Sequence, residues 1–333
     1  MIAFTPASDP LGHTAPLDQC ARFPLLGLPL EIQSNSPAVL AAAERSFGHW
    51  RALAPALIAQ VAPLIVQLIV HPAAQAPTPG CNVEFVQRVY GASFVAASGA
   101  NLLTAQLDRG VALAFVTPEL VADDQQFRYH VLECLALLLA SRRDRTPVHA
   151  GAVVWDGRAV LLVGQSTAGK STLCYACLRE GFQLLAEDVV YVGLHEGLRL
   201  WGNPDRIHLL ADARDRFSEL ANYEAHIQAN GKRKLAIEVA ALGPDARRHS
   251  VEQATVCLLE RHEGWESSLT PIASQLAIDA LSRDLEPGFD LHQRAADVAD
   301  ALARGGAYRL RMGRDLGGAV ALIRRLAAVG REV

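Results

Sequence analysis

The chain has 333 residues, half of them hydrophobic and a fifth charged, with a formal net charge of -4 at pH 7. That composition describes a globular protein with a substantial core, in one large domain or two smaller ones. The mild negative charge speaks against a protein that holds nucleic acid by a broad basic surface.

The first 22 residues, rich in Pro, Ser, Thr and Asp, read as a flexible lead-in. They show neither a basic n-region nor an apolar h-region, so no secretory signal is expected and the expected compartment is the cytoplasm. Residues 23–117 read as a smaller α+β domain with loops such as "HPAAQAPTPGCN". Within it, Ala52 to Val70 carries no charge, but Pro55, Gln60, Pro63 and Gln67 interrupt it and its second half, "PLIVQLIVH", is rich in β-branched residues. A short helix followed by a buried strand fits better than a membrane span.

Residues 118–333 read as the catalytic domain. A helix carrying "FRYHVLECLALLLASRR" follows Pro118, with Val131, Cys134, Leu135 and Leu138 as its apolar stripe and Arg142 and Arg143 at its C-terminus. From Pro147 the pattern changes to "VHAGAVVW", Asp156-Gly157 and "RAVLLVG", two strand-like runs on an Asp-Gly turn, which predicts an antiparallel hairpin. A Gly-rich loop and the helix "STLCYACLREG" come next, then the strand runs "FQLLAEDVVYVG" and "LRLWG". Short helices and strands alternate beyond. Hairpins on both sides of the Gly-rich loop predict a mixed sheet. The six cysteines have no disulfide-framework spacing, and Cys174 and Cys177, one helical turn apart, predict a buried helix face rather than a zinc or redox site.

The loop "GQSTAGKST" fits G-x-x-x-x-G-K-[ST] through Gly164, Gly169, Lys170 and Ser171. Backbone amides of Gly164, Gln165, Ser166, Thr167, Ala168, Gly169, Lys170, Ser171 and Thr172 would cradle phosphate at a helix N-terminus. Lys170 would reach the β- and γ-phosphates and the Ser171 hydroxyl would bind Mg²⁺. A phosphotransferase also needs carboxylates near the γ-phosphate, and Glu187-Asp188 interrupt the apolar strand that follows the loop's helix. Successive strand residues face opposite sides, so the two acids need not share one task. His149 opens the hairpin and is expected beside the phosphate-loop strand, within reach of the site.

A histidine at a strand start, a hairpin, G-x-x-x-x-G-K-S and the paired acids of "LLAED" resemble the catalytic domain of HPr kinase/phosphorylase. They resemble more closely the HPr-kinase-related proteins found beside peptide-modification genes in bacteria. The likeness runs from about Pro147 to Val192, and "WGNPDRIHLL" and "GKRKLAIEV" extend it weakly to about Val239. It implies a P-loop kinase core with a mixed sheet, also similar to phosphoenolpyruvate carboxykinase, acting with ATP and Mg²⁺ on a serine or threonine hydroxyl of a peptide or protein. By family position the base falls on Glu187, while Asp188 and His149 support the same site and Ser171 and Asp188 would hold the metal. Two departures bear on this. The family's usual Asp-Asp is Glu-Asp here, and the glycine-rich signature of the phosphorylase reaction and subunit assembly is missing. Phosphorylase activity, a hexamer and HPr as substrate are therefore not carried over, and homo-oligomerisation stays open.

Only three of the 31 basic residues are lysine: Lys170, Lys232 and Lys234. Lys234 and Arg206 are accordingly candidate contacts to phosphate or acceptor. The leading expectation is a kinase acting on a peptide or protein hydroxyl. The alternatives are a small-molecule kinase of the same fold and a nucleotide-gated binding module without transfer.

Overall fold

A computed structural model describes residues 16–71, 84–165, 167–227, 232–282 and 294–328. Most of the lead-in, most of "HPAAQAPTPGCN" and Ser166 of the phosphate loop lie outside the described residues. The chain divides into two compact units, one ending at Arg143 and one starting at Asp144.

The first unit is built on β1 (Gln19–Phe23), β2 (Leu30–Ser34), α1 (Pro37–Phe47), β3 (Leu64–Val70), β4 (Val86–Tyr90), β5 (Ser93–Ser98), β6 (Asn101–Gln106) and β7 (Val111–Val116). The strands form one sheet in the order β1-β2-β3-β7-β6-β5-β4, parallel at β2–β3 and β3–β7 and antiparallel elsewhere. Pro37 opens α1, where its missing N–H has no helical partner to lose. The charge-free segment after Ala52 becomes a 3-10 turn, Pro55–Leu57, and then the buried strand β3, as expected. The lead-in expectation fails for Gln19–Arg22: these residues pair with β2, and Arg22 Nε lies 2.8 Å from Glu31 Oε2.

The boundary expected at residue 118 also moves. The helical run after Pro118 comprises α2 (Pro118–Ala122), α3 (Asp124–Phe127), a π-helical turn (Arg128–Glu133) and α4 (Cys134–Ser141). It belongs to the first unit, with α4 against β3 and β7 and the π turn against α1. An amphipathic helix needs an apolar surface, and this sheet supplies it. Of the predicted stripe only Val131 and Leu135 are buried. Leu132, Ala136, Leu139 and Ala140 complete the inward face, while Cys134 and Leu138 are half-buried. The π turn takes more residues per revolution than an α-helix, so it shifts the phase of the face.

The second unit begins with β8 (Thr146–His149), β9 (Gly151–Trp155), β10 (Arg158–Val163), α5 (Lys170–Arg179), β11 (Gln183–Ala186), β12 (Val189–Gly193) and β13 (Arg199–Gly202). It continues through β14 (Arg206–Leu210), β15 (Ala225–Ile227), β16 (Arg233–Glu238), β17 (Ser250–Val251), β18 (Gln253–Arg261) and β19 (Ser268–Pro271). It closes with α6 (Ser274–Leu281), α7 (Ala295–Ala303), β20 (Ala307–Met312) and α8 (Leu316–Ala328). The central sheet has the order β11-β9-β10-β18-β20-β19 and is mixed, as expected: β10–β18 and β18–β20 are parallel, the other pairs antiparallel. Smaller sheets are β17-β13-β12-β8 and β14-β16-β15.

The predicted hairpin forms between β9 and β10, with Asp156 and Gly157 both at positive φ, +50° and +81°. Both faces of β10 are buried. Val160 and Leu162 pack with α5 and α8, while Ala159, Leu161 and Val163 pack with α6 and α7. That explains the continuous apolar run before the phosphate loop. Cys174, Cys177 and Cys257 are all buried in the α5–α8 core, and burial pushes the Cys257 thiol up to about 12. No helix among the described residues is long and apolar enough to cross a membrane.

Candidate functional site

The phosphate loop leaves the C-terminal end of β10 and enters α5 at Lys170. Gly169 sits at φ +98°. A Cβ there would also lie 2.7 Å from Met312 Cε, so both conformation and space call for glycine. Thr167 adopts φ +74°, a conformation rare for a β-branched residue, in a loop that must turn its amides inward. Lys170 is buried, and its Nζ donates to the carbonyls of Gly164 at 2.7 Å and Gln165 at 3.4 Å. Burial holds its ammonium below the ordinary lysine value, opposed chiefly by Asp188 and then by Cys174 and Glu187, while Lys234 adds to the lowering. Thr172 lies in the first turn of α5.

Glu187 and Asp188 form the link between β11 and β12, two strands of different sheets. Position 151 carries no side chain where α5 and this link converge: a Cβ would lie 3.0 Å from both Cys174 Sγ and Glu187 O. The bend at this link separates the two acids. The Glu187 side chain is only 13% exposed; its Oε1 accepts from Ser171 Oγ at 2.9 Å and its Oε2 lies 2.8 Å from His208 Nδ1. Asp188 is 60% exposed and turns to His149, with Oδ1 3.5 Å from Nε2. Of the two acids it is Glu187, not Asp188, that hydrogen-bonds Ser171, the other residue expected to hold the metal. The longer glutamate side chain spans the gap to α5, while the bend between β11 and β12 turns Asp188 toward His149.

His149 reaches the site by a different route from the one expected. The chain breaks strand geometry at Ala150, so β8 leaves the P-loop hairpin and pairs with β12, setting His149 opposite Val189. Burial holds its imidazole below the ordinary histidine value, with Lys170 reinforcing and Asp188 opposing the shift. A neutral imidazole results near pH 7.

The sheet β14-β16-β15 forms another wall. Alternation buries Ile207, Leu209, Leu235 and Ile237 and puts Arg206, His208 and Lys234 on the opposite face. Lys234 lies within electrostatic range of Lys170. Arg206 lies 3.7 Å from Asp205 and 3.8 Å from Glu238, carboxylates of its own sheet region. His208, noticeable in the sequence only as a neighbour of Arg206, emerges as the group that orients Glu187.

Sequence reasoning misses Arg261 altogether. It ends β18, which runs parallel to β10 in the register Val163↔Leu258, so its end lies beside the phosphate loop. Its Nε and Nη2 are 3.4 and 3.6 Å from the Cβ position of Gly169. Nothing in the local sequence marks this arginine among so many; only the parallel pairing brings it to the loop. Among the described residues no group of three or more His, Cys, Asp or Glu side chains gathers as a metal site.

No family model matches this chain, and no curated protein does. Among solved structures it matches the Hpr(Ser) kinase/phosphatase from Coxiella burnetii, with 16% identity over 56% of this chain and 97% of that one, at a TM-score of 0.31. The mixed α/β architecture rests on the chain's own sheets and helices, and the likeness to that enzyme is weak.

Proposed function

We propose that the protein is an ATP- and Mg²⁺-dependent kinase that transfers the γ-phosphate to a hydroxyl, that of a serine or threonine in a peptide or protein. One observation carries this reading: beside a G-x-x-x-x-G-K-S loop, adjacent acids part to opposite sides, one onto the loop's serine and one, exposed, beside a histidine. A pure binding module has no use for the second acid.

The Ser171 hydroxyl and the Glu187 carboxylate, 2.9 Å apart, are hard oxygen donors of the kind and number that Mg²⁺ takes alongside phosphates and water. Ser171 and Glu187 would hold it, with His208 fixing the carboxylate. Bound there, Mg²⁺ would neutralise charge on the β- and γ-phosphates. Lys170 is sequestered on its own loop carbonyls and would exchange those bonds for phosphate oxygens.

We assign the base to Asp188. The acceptor oxygen forms a bond to the γ-phosphorus as the bond to the ADP oxygen breaks, and the hydroxyl proton passes to the Asp188 carboxylate. His149, neutral, orients that carboxylate without quenching its charge. Lys234 stands on the wall facing the loop and would meet the transferred phosphoryl group or the acceptor.

Incubation with γ-labelled ATP, Mg²⁺ and hydroxyl-bearing peptides tests the reading. Label on peptide hydroxyls, abolished by Lys170→Ala in a protein with unchanged melting, is the expected outcome. Label on small molecules of a metabolite extract instead would indicate the small-molecule kinase. Tight ATP binding with no transfer to either pool would leave the gated module and overturn the kinase.

A further inference from the structure

The parallel strands β10, β18 and β20 end together, and the edge formed by their C-terminal ends is where ligands of α/β sheets bind. The phosphate loop occupies the end of β10. The other two strands and the residue stretch after β20 carry four arginines toward this edge, and three have a carboxylate partner: Arg309 and Arg311 on Glu260 at 3.7 and 3.9 Å, and Arg314 on Glu263 at 3.0 Å. Arg261, nearest the loop, has none among the described residues and is exposed.

The turn after Arg261 is pinned along its length. His262 N donates to Met312 O at 3.1 Å, Arg314 N to Gly264 O at 3.0 Å and Asp315 N to Trp265 O at 2.9 Å. Gly264 N donates to His262 Nδ1 at 3.0 Å, and Gly313 N to Ser267 Oγ at 3.0 Å. The turn presses so closely on the exit of β20 that a Cβ on Gly313 would lie 2.3 Å from Trp265 O. This rigid turn nevertheless leaves Trp265 69% exposed, the most exposed large hydrophobic side chain of the described residues. Met312, the residue before Gly313, touches the loop at Gly169. The turn that carries the tryptophan therefore packs against the end of the strand whose Met312 side chain reaches the loop.

We infer that the turn His262–Ser267 is the docking platform for the nucleoside half of the nucleotide, with Trp265 stacking on the base and Arg261 contacting the phosphate chain. This rests on the nucleotide-binding reading of the loop. A nucleotide held by its phosphates must lay its base across the rim of the site. A fixed, solvent-facing indole suits a π-face, and an unneutralised guanidinium suits phosphate oxygens.

The test measures affinity of the full chain for ATP and for inorganic tripolyphosphate, which shares the phosphates but has no base. Stacking on an aromatic contributes about 1–3 kcal/mol, so Trp265→Ala should weaken ATP roughly 5- to 150-fold and leave tripolyphosphate unchanged, with Trp265→Phe retaining most of the affinity. Arg261→Gln should weaken both ligands, and Arg309→Gln neither. Trp50 and Trp201 are buried and Trp155 half-buried, so an ATP-induced change in indole emission should vanish in Trp265→Phe. The inference is overturned if Trp265→Ala binds ATP within twofold of wild type, or if it weakens tripolyphosphate as much as ATP. Wild-type protein that binds neither ligand would instead sink the phosphate-loop reading, and this inference with it.

Discussion

Arg128 in the first unit and Arg261 in the second both carry a guanidinium, and their surroundings are opposite. Arg128 is buried, with Nε donating to Ser46 Oγ at 2.8 Å, Nη2 donating to Arg45 O at 3.1 Å, and the carboxylates of Asp124 and Glu133 at 3.7 and 3.6 Å. Arg261 is exposed, and no carboxylate among the described residues answers it. A buried charge must be paired by the protein itself, because its desolvation costs several kcal/mol. A charge left unpaired at the end of parallel strands, beside the Gly164–Thr172 loop, is available to a ligand. The first unit uses its polar chemistry for cohesion, and the second keeps part of it open to solvent and ligand.

The acids at the phosphate loop offer the strongest way to break this contrast. If Asp188 is the base and Glu187 stands on the metal side, Asp188→Asn should lower kcat by about 10²–10⁴-fold, with no rescue by metal. Glu187→Gln should recover partly with raised Mg²⁺ or with Mn²⁺. Measuring kcat against metal concentration decides between them. A dead, unrescued Glu187→Gln beside a rescuable Asp188→Asn would restore the assignment by family position.

The two arginines sharpen it next. Arg128→Met should destabilise folding by about 3 kcal/mol, because it strands a hydroxyl and carboxylates that were built around a cation. Arg261→Met should change stability by less than about 0.5 kcal/mol. Denaturant unfolding of both variants checks this, and equal losses would erase the distinction. The smallest effect is expected from Arg206→Ala. Its guanidinium is already engaged by Asp205 and Glu238, so transfer activity should stay within about twofold of wild type. A larger loss in a rate assay would return Arg206 to the site.

Features carried by fixed local spacing are legible in the amino-acid sequence alone. The Asp156-Gly157 hairpin, the loop from Gly164 to Thr172, the apolar strands and the mixed character of the central sheet follow from turn chemistry and from periods of two and 3.6 residues, which act within a few neighbours. The same holds for the presence of two acids after α5. What tertiary structure decided depends on partners far along the chain. The helices after Pro118 joined the first unit because the apolar face awaiting them lies on β3 and β7. A break at Ala150 sent His149 to the sheet of β12 and placed it beside Asp188 instead of the phosphate-loop strand. The acids part at a bend between strands of two different sheets, and only the approach of α5 determined that Glu187 meets Ser171. Arg261 and Trp265 have no local signature at all. Arg261 reaches the loop because β18 runs parallel to β10, with Arg158 opposite Gln253, and the turn of Trp265 is fixed by the exit of β20, pairings that no short-range pattern encodes.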